Sequence, residues 1–291
     1  MVEILQQVVN GIILGSVYAL IAVGLSLIFG VCRIIQWAHG EVYMLGAYMG
    51  YMLFITLGVP YFISLILTII LTAILGMLIE RVVFRPLKKF PSIMTNLGAI
   101  GLSFFLLNFA ILFISSEPWG FPVPQLEKVI KIGPLDLTLQ RIIVFVVAVV
   151  LILALSIFIK KTVTGRAMLA MAQDAEAASL MGIDVNRTSA LSFAIGSGLA
   201  GAAGIIIAPI FLLYPQMSQI AVAKGFPIVV LGGLGSVEGA IVGAYILGLI
   251  ESLMVGFISS TYKDVVGFVI LILILYFKPD GLFGQKIMEK V

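Results

Sequence analysis

Long apolar runs separated by short polar stretches make up most of this chain. The runs occupy about residues 9–31, 40–58, 61–79, 93–115, 141–159, 189–213, 218–235, 237–258 and 264–277. They do not alternate as half-buried strands do, and most have the roughly 20 residues that a helix needs to cross a bilayer. Hydrocarbon offers the backbone no hydrogen-bond partner, so such segments must be helical. We predict an all-α, polytopic membrane bundle of about eight transmembrane helices, in a single transmembrane domain over residues 1–291.

The seventh run, 218–235, differs from the others. It is short, and it contains Lys224 and Pro227, which an ordinary spanning helix rarely carries. We interpret it as a discontinuous or re-entrant segment in addition to the regular spans.

Composition narrows the class further. Of the 291 residues, 62% are hydrophobic and 11% are charged, which excludes a soluble globular protein. The single cysteine and the single histidine exclude a disulfide framework and a Cys/His cage, so we expect no metal site. Residues 1–10 lack the basic segment and cleavage site of a signal peptide, so the first apolar run should be retained.

Basic residues collect in a few of the polar stretches. The densest groups are Arg81, Arg85, Lys88 and Lys89, then Lys160, Lys161, Arg166 and Arg187, and finally Lys278, Lys286 and Lys290. Lys and Arg accumulate in cytoplasmic loops, so these stretches are predicted to face the cytoplasm. If all nine runs cross the membrane, the N-terminus and the loop that contains Glu117 and Glu127 lie outside.

Residues 31–48 carry the most unusual polar groups of the membrane region. Gln36, His39, Gly40 and Glu41 lie between two apolar runs. Unpaired charge is costly in a bilayer, so these groups must pair, face water or lie at an interface. One interpretation is a short cytoplasmic turn. The other is a helix broken inside the membrane, in which these four residues line a translocation pathway.

Two further polar residues within apolar runs are candidates for lining the translocation pathway. Asn96 lies near the start of the fourth run, and Glu251 lies in the middle of the eighth. A carboxylate at that depth should face the bundle interior or a partner subunit. A packing or hydrogen-bonding role and a pathway role for Glu251 both remain open.

The polar stretch 165–187 predicts a short amphipathic helix between two spans. Arg166 and the acidic side chains share one face, while methionines and alanines form the other. Gly182 lies where a left-handed cap would end the helix, and Asp184 can cap the helix that follows. We expect the loop at about 160–188 to lie along the membrane surface, where a soluble motor protein can push on it; the alternative is a solvated linker.

Several motifs, in their order along the chain, resemble those of ABC-transporter permeases. Glu176-Ala177-Ala178 followed by Gly182 is similar to the first half of the EAA loop of binding-protein-dependent permeases, although the Ile-x-Leu-Pro ending is absent. Four segments resemble branched-chain amino-acid permeases: Gln36-Trp37-Ala38-His39-Gly40, where that family usually has Asn-Phe-Ala-His-Gly, and residues 96–103, 230–236 and 278–284. The set covers nearly the whole chain and is similar to the smaller, LivH-type permease subunit.

This resemblance implies a transport role without catalysis. The chain would be the permease subunit of an ATP-binding-cassette importer in a prokaryotic inner (plasma) membrane, and would translocate branched-chain or other hydrophobic amino acids. The expected partners are a second permease subunit, different or identical, two ABC ATPases, an external substrate-binding protein and membrane lipid, but no nucleic acid. The residues that the resemblance assigns to ATPase coupling are Arg166, Asp174, Glu176, Ala177, Ala178 and Gly182.

Two other classes of function, an ion-coupled carrier and a membrane enzyme, fit the sequence less well. An ion-coupled secondary transporter of amino acids, or of small amides such as urea, needs a coupling carboxylate, and Glu41 or Glu251 could serve. The Ala-rich helix argues against it, because an ion-coupled carrier needs no contact with a motor protein. The chain has no phosphate-binding loop, no paired nucleophile and base, and no cofactor motif, so we expect no enzyme activity and no cofactor; ATP would be bound by partner subunits.

Overall fold

Each of the nine apolar runs is helical in the computed structural model, which describes residues 2–133, 135–278 and 281–284. The α-helices are α1 Val2–Cys32, α2 His39–Tyr51, α3 Tyr61–Ile79, α4 Arg85–Leu87, α5 Ser92–Phe113, α6 Leu139–Lys161, α7 Val163–Gln173, α8 Ala175–Leu180, α9 Val185–Ile207, α10 Met217–Gly232, α11 Val237–Phe257 and α12 Lys263–Phe277. π-Helical turns, Met52–Thr56 and Glu80–Phe84, extend α2 and join α3 to α4, and short 3₁₀ turns lie at Pro124–Leu126 and Ser260–Tyr262.

The predicted fold class, a helical polytopic membrane protein, is confirmed. Within the described ranges, six helices are long and apolar enough to cross a membrane, namely α1, α5, α6, α9, α11 and the helix Tyr61–Leu87 that contains α3 and α4. The other three apolar runs form α2, α10 and α12, with 13, 16 and 15 residues. The seventh run is therefore a short helix, α10, with Pro227 inside it.

α1 and α9 form the centre of the bundle. In the most apolar stretch of each helix, 78% of the residues of α1 and 83% of those of α9 are buried, against 17% for α5 and 22% for α6. Close approach of α1 and α9 depends on small residues, because a Cβ atom on Gly24 would lie only 2.7 Å from the carbonyl oxygen of Gly196. Small residues at helix crossings permit this kind of packing in membranes.

The outer helices bury only a narrow stripe. On α5 the buried residues are Thr95, Ala99, Leu106 and Ala110, one face of the helix at a spacing of four and seven. The rest of the helix surface exposes large apolar side chains, among them Phe104, Phe105 and Leu112. Such a surface fits lipid or another membrane subunit.

The loop between α5 and α6 forms a small β structure that the sequence analysis did not predict. β1 Val129–Ile132 and β2 Leu135–Thr138 pair antiparallel, with Ile130 opposite Leu137. An isolated bridge joins Trp119 to Leu213, just before α10. The motif at 278–284 is described only in part, because Pro279 and Asp280 lie outside the described residues; Leu282 and Phe283 donate backbone hydrogen bonds to the end of α10.

Candidate translocation pathway and coupling site

The chain departs from regular helix directly after α1. Arg33 has a φ of +55°, and no other non-glycine residue in the described part of the chain has a positive φ. This left-handed conformation costs an L-residue about 1–2 kcal/mol, so its surroundings must hold it in place. Residues 33–38 then run without helical structure to His39, where α2 begins.

This irregular segment returns into the bundle before α2 starts. The ring of His39 packs against α1 at Gly24, where an added Cβ would lie 3.0 Å from Nε2. Gly24 precedes the end of α1 at Cys32 by eight residues, which corresponds to about 12 Å along the helix axis. The start of α2 therefore lies inside the bundle, and the geometry corresponds to a broken helix instead of a turn outside the membrane.

A second helix begins at the same place. α10 starts at Met217 after the non-helical residues 211–216. Gly40 of α2 packs directly on the backbone of Ser218, and an added Cβ there would overlap the Ser218 carbonyl oxygen. Discontinuous helices whose ends meet within the membrane are a recurring feature of transporter binding sites. We call this meeting point, formed by His39, Gly40 and Glu41 with Met217 and Ser218, the α2–α10 junction.

The α2–α10 junction contains polar groups that are not fully satisfied. Glu41 is 2% exposed and lies near Ser103 on α5 and Ser218 on α10, and the Ser218 hydroxyl itself donates a hydrogen bond of 3.0 Å to the Pro215 carbonyl oxygen. Its Oε2 atom has no hydrogen-bond partner among the described residues. Gln36 is fully buried, and within the same ranges neither polar atom of its amide has a partner. Buried polar groups without partners are uncommon, so this region is a candidate for binding a polar ligand.

Asn96 and Glu251, the remaining pathway candidates, lie on different helices. Asn96 is half-buried and precedes Ser103 by seven residues on α5. The two side chains therefore share one face of the helix, about 10 Å apart along its axis. Glu251 belongs instead to a separate cluster on α11. The structure therefore brings His39, Gly40 and Glu41 together at the α2–α10 junction, with Gln36 in the segment that leads to it, and leaves Asn96 and Glu251 apart.

The second cluster is a buried ion pair. Glu251 pairs with Lys224 of α10 and accepts a hydrogen bond of 2.8 Å from the Tyr18 hydroxyl of α1. Both charged side chains are almost completely buried, and Lys224 borders a cavity of about 140 Å³ that Leu247 and Phe268 also line. Removing one partner would leave an uncompensated charge in the bundle, so this contact ties α1, α10 and α11 together.

Sequence reasoning identified Glu251 but missed Lys224 as its partner. It treated Lys224 only as an interruption of the seventh run. The signal was nevertheless present, because two opposite charges within neighbouring apolar runs are expected to pair. Ser103 and Ser218 carried no such signal, since serine is common in membrane helices and their proximity to Glu41 depends on the tertiary fold.

A third group of charges lies at the end of α3. Glu80 is fully buried and pairs with Arg85 at 2.9 Å and with Lys88 at 3.3 Å. Lys88 also donates to the Ser189 hydroxyl near the start of α9. The end of the α3–α4 helix is thereby fixed to the beginning of α9, directly beside the stretch that was predicted to couple to a motor protein.

That stretch forms two helices, which corrects the prediction of a single one. α7 ends at Gln173 and α8 begins at Ala175, with Asp174 between them. The Asp174 carboxylate accepts hydrogen bonds of 3.0 Å from the backbone N–H groups of Glu176 and Ala177. An aspartate that caps a new helix in this way ends the preceding one. We call α7 and α8 the coupling helices.

The caps predicted for this region are confirmed. Gly182 has a φ of +85° after α8, a conformation that glycine adopts without a steric penalty. Asp184 then caps α9, and its carboxylate accepts a hydrogen bond of 2.9 Å from the Arg187 N–H.

Exposure separates the predicted coupling residues. Arg166, Glu176, Ala177 and Gly182 are exposed, and Asp174 is half-buried. Ala178 is only 5% exposed, because the break at Asp174 rotates α8 and turns this residue towards the rest of the chain; its contact with a partner protein stays a prediction. The exposed apolar residues are Leu180 and Met181, at 86% and 84%, which the sequence analysis did not select.

The coupling helices contact the broken segment directly. Arg33 Nη2 donates a hydrogen bond of 2.8 Å to the carbonyl oxygen of Ala172, in the last turn of α7. The last carbonyls of a helix lack intrahelical partners and carry negative partial charge, so a guanidinium there is favourable. Arg33 is therefore both the first residue of the broken segment and a cap of the first coupling helix.

These features define a class of protein. A multi-pass helical bundle contains two helices that begin inside it, a polar junction between them, and exposed short helices joined to that junction. Within the described ranges, no group of three or more His, Cys, Asp or Glu side chains could hold a metal ion. The arrangement is that of a membrane permease.

Comparison with known proteins identifies the kind of permease. Residues 7–275 match the model of the family described as branched-chain amino acid transport system / permease component. The chain belongs to this family.

Full-length relatives agree. The chain is 38% identical over 301 residues to the high-affinity branched-chain amino acid transport system permease protein LivH of Salmonella typhimurium, with 99% of this chain and 97% of the relative covered. It is 37% identical to LivH of Escherichia coli K12, with the same coverage. It is 36% identical to the permease protein BraD of Pseudomonas aeruginosa, with 99% of this chain and 98% of BraD covered.

A solved structure shares the fold. A chain of PsaBC from Streptococcus pneumoniae, in complex with Fab, superposes with a TM-score of 0.52 over 93% of this chain and 91% of that chain. The sequences are 14% identical, so this similarity concerns the fold alone.

Proposed function

We propose that this chain is the permease subunit of an ABC importer that carries branched-chain amino acids, or similar hydrophobic amino acids, across a prokaryotic plasma membrane. The substrate class follows from the names of relatives that match nearly the whole chain. The mechanism rests on one structural observation above all, the contact between the exposed coupling helices and the broken segment through Arg33.

In the proposed mechanism, force is transmitted through the hydrogen bond between Arg33 and the Ala172 carbonyl. Partner ATPases bind the exposed surface of α7 and α8 and shift it when they bind ATP. Arg33 passes the shift to residues 33–38, which lead directly to His39 at the start of α2. Separation of α2 from α10 opens the α2–α10 junction, which is closed in this structure by the contact between Gly40 and Ser218. The substrate passes there, along a path that Gln36, Glu41 and Asn96 line.

The proposed assembly contains two ABC ATPases, a second permease subunit that is different or identical, and an external substrate-binding protein. The chain itself binds no cofactor, and ATP belongs to the partner ATPases. The exposed apolar faces of α5 and α6 are suited to lipid and to the second permease. Exposed Leu180 and Met181 on the coupling helices supply apolar anchors for a groove on an ATPase.

The alternative, an ion-coupled carrier, is less well supported. It would require a carboxylate that gains and loses an ion during transport. Glu251 is held by Lys224 and Tyr18, so its charge is already compensated within the chain. The exposed coupling helices would also have no purpose in such a carrier.

Reconstitution tests the proposal. The complex of both permeases and two ATPases is placed in liposomes, with purified binding protein outside and leucine as the substrate. We expect uptake that requires ATP and binding protein and that persists when ionophores collapse all ion gradients. Leucine uptake that follows an imposed ion gradient without ATP would contradict the proposal and support the ion-coupled carrier.

A further inference from the structure

Among the side chains that the structure describes, three carboxylates are buried, and one of them differs from the other two. Glu80 pairs with Arg85 and Lys88, and Glu251 pairs with Lys224. No basic side chain of residues 2–133, 135–278 or 281–284 forms an ion pair with Glu41, although Glu41 is 2% exposed. The polar side chains near it are those of Ser103 and Ser218, and the Ser218 hydroxyl donates its hydrogen bond to the Pro215 carbonyl oxygen.

A carboxylate in that setting needs a positive charge. Burial of an unpaired ion costs several kcal/mol even after relaxation, on the order of the values known for broken buried pairs. The N-terminal end of α2 offsets part of this cost, since helix N-termini favour an anion. It supplies a partial charge only. Glu80 and Glu251 each have a cationic partner within the chain, whereas the described part of the chain supplies none for Glu41. The Glu41 carboxylate is therefore suited to binding a cation from outside the chain.

The position of Glu41 indicates which cation this is. It lies in the first turn of α2, at the junction that the proposed mechanism opens, next to the close contact between Gly40 and Ser218. Gln36, in the same broken segment, has an amide whose donor and acceptor are both unpartnered within the described ranges. A ligand that carries an ammonium and a carboxylate would use both groups, the ammonium at Glu41 and the carboxylate at the amide.

We propose that Glu41, with Ser103 and Ser218, binds the α-ammonium group of an amino acid while it crosses the membrane between α2 and α10. This inference rests on the proposed function, because it requires that an amino acid pass the junction. The site recognises the part that all α-amino acids share, so it admits zwitterions and excludes acids that lack the ammonium. Selection among amino-acid side chains is left to other contacts.

Neutralisation by a proton is the competing explanation, and substitution separates the two. Glu41→Gln keeps the size and hydrogen bonding of a protonated carboxyl group but cannot compensate an ammonium ion. Glu238→Gln is the matched control, because Glu238 is an exposed carboxylate in a surface ion pair with Lys160. Each variant is reconstituted with the second permease, the ATPases and the binding protein, and its assembly is checked by size-exclusion chromatography.

Three quantities are then measured: leucine uptake, ATP hydrolysis stimulated by leucine-loaded binding protein, and their ratio. We expect Glu41→Gln to assemble and to retain stimulated hydrolysis while uptake per ATP falls about tenfold or more, as loss of a charge-assisted hydrogen bond predicts. Glu238→Gln should behave as the unsubstituted chain. Normal uptake by Glu41→Gln would overturn the proposal in favour of a protonated carboxyl group. Equal loss of uptake and stimulated hydrolysis in the assembled variant would overturn it in favour of a structural role.

A binding measurement tests the ammonium group itself. Trp37 stacks on Phe226 with ring centroids 4.8 Å apart, so its fluorescence reports on the junction. In a Trp119→Phe background, leucine should change this fluorescence, whereas 4-methyl-2-oxopentanoate, which lacks the ammonium, should not. Equal responses to both compounds would overturn the inference. Failure of the unsubstituted complex to take up leucine at all would instead count against the proposed function, so the two failures are distinguishable.

Discussion

Arg33 joins two parts of the molecule that are far apart in sequence. Its backbone adopts a conformation that suits glycine, with a φ of +55°, and its guanidinium holds the last turn of α7 at 2.8 Å. Glycine would adopt this backbone conformation without steric strain. An arginine at this position is therefore unfavourable unless its side chain has a role. The combination of strain and a long-range hydrogen bond is understandable if the side chain transmits force.

Replacing Arg33 should therefore weaken the coupling of ATP hydrolysis to transport without lowering the stability of the permease. Arg33→Gly relieves the backbone strain but removes the hydrogen bond to Ala172, so we expect unchanged or slightly higher thermal stability together with a severalfold loss of leucine uptake per ATP hydrolysed. Arg33→Lys, which keeps a donor, should recover part of the coupling. The measurement is the ratio of uptake to stimulated hydrolysis in proteoliposomes, and a normal ratio for Arg33→Gly would show that Arg33 transmits nothing.

At the scale of the elements, the two coupling helices differ in which side chains they bury and which they expose. α7 turns Met168 and Met171 inwards, and α8 buries Ala178. Ala177 beside it is exposed, together with Leu180 and Met181. One side of α8 thus packs against the rest of the chain, and the other is exposed, where we propose that an ATPase binds.

A pair of neighbouring substitutions tests this division. Ala177→Trp should leave the permease folded but overfill a groove on the ATPase, so ATPase binding and stimulated hydrolysis fall sharply. Ala178→Trp forces a large ring into packed surroundings and should lower permease stability by about 1–3 kcal/mol. Thermal unfolding and co-purification of the ATPase are the two readouts. Reversed effects, with Ala178→Trp stable and unable to bind the ATPase, would mean that the faces of α8 are assigned incorrectly.

The elements also differ in how far the sequence predicts them. Apolar runs define the spanning helices because hydrocarbon leaves a single backbone solution for a segment of that length. Gly182 and Asp184 follow local capping rules, and both predictions are confirmed. The division of the coupling helix at Asp174 is a local signal as well, but it competes with an alanine-rich sequence that favours one continuous helix.

Other features depend on contacts between distant segments and have no local signal. The hydroxyls near Glu41 and the inward position of Ala178 both arise from helix packing. The strands of the β1–β2 hairpin have four residues each, too few to be distinguished from an irregular loop by periodicity.

At the scale of the whole molecule, the distribution of basic residues assigns an orientation, which stays a prediction. The loop before α5 and the coupling helices should face the cytoplasm, and the loop with the hairpin should face outside. In a Cys32→Ser background, Lys89→Cys and Ala175→Cys should react only with thiol reagents that cross the membrane, while Gly120→Cys should react with an impermeant one. All three positions are exposed. Reaction of Lys89→Cys or Ala175→Cys with the impermeant reagent in intact cells would reverse the orientation.

We expect transport to require that the start of α2 separates from α10, and a cross-link tests this requirement most directly. Trp37 and Phe226 stack across this boundary, with ring centroids 4.8 Å apart. In a Cys32→Ser background, Trp37→Cys and Phe226→Cys are joined by a short, reducible bifunctional thiol reagent in the assembled, reconstituted complex. We expect leucine uptake to stop on cross-linking and to return on reduction, while each single-cysteine variant treated with the same reagent keeps transporting. A cross-linked complex that carries leucine at the rate of the reduced complex would contradict the account.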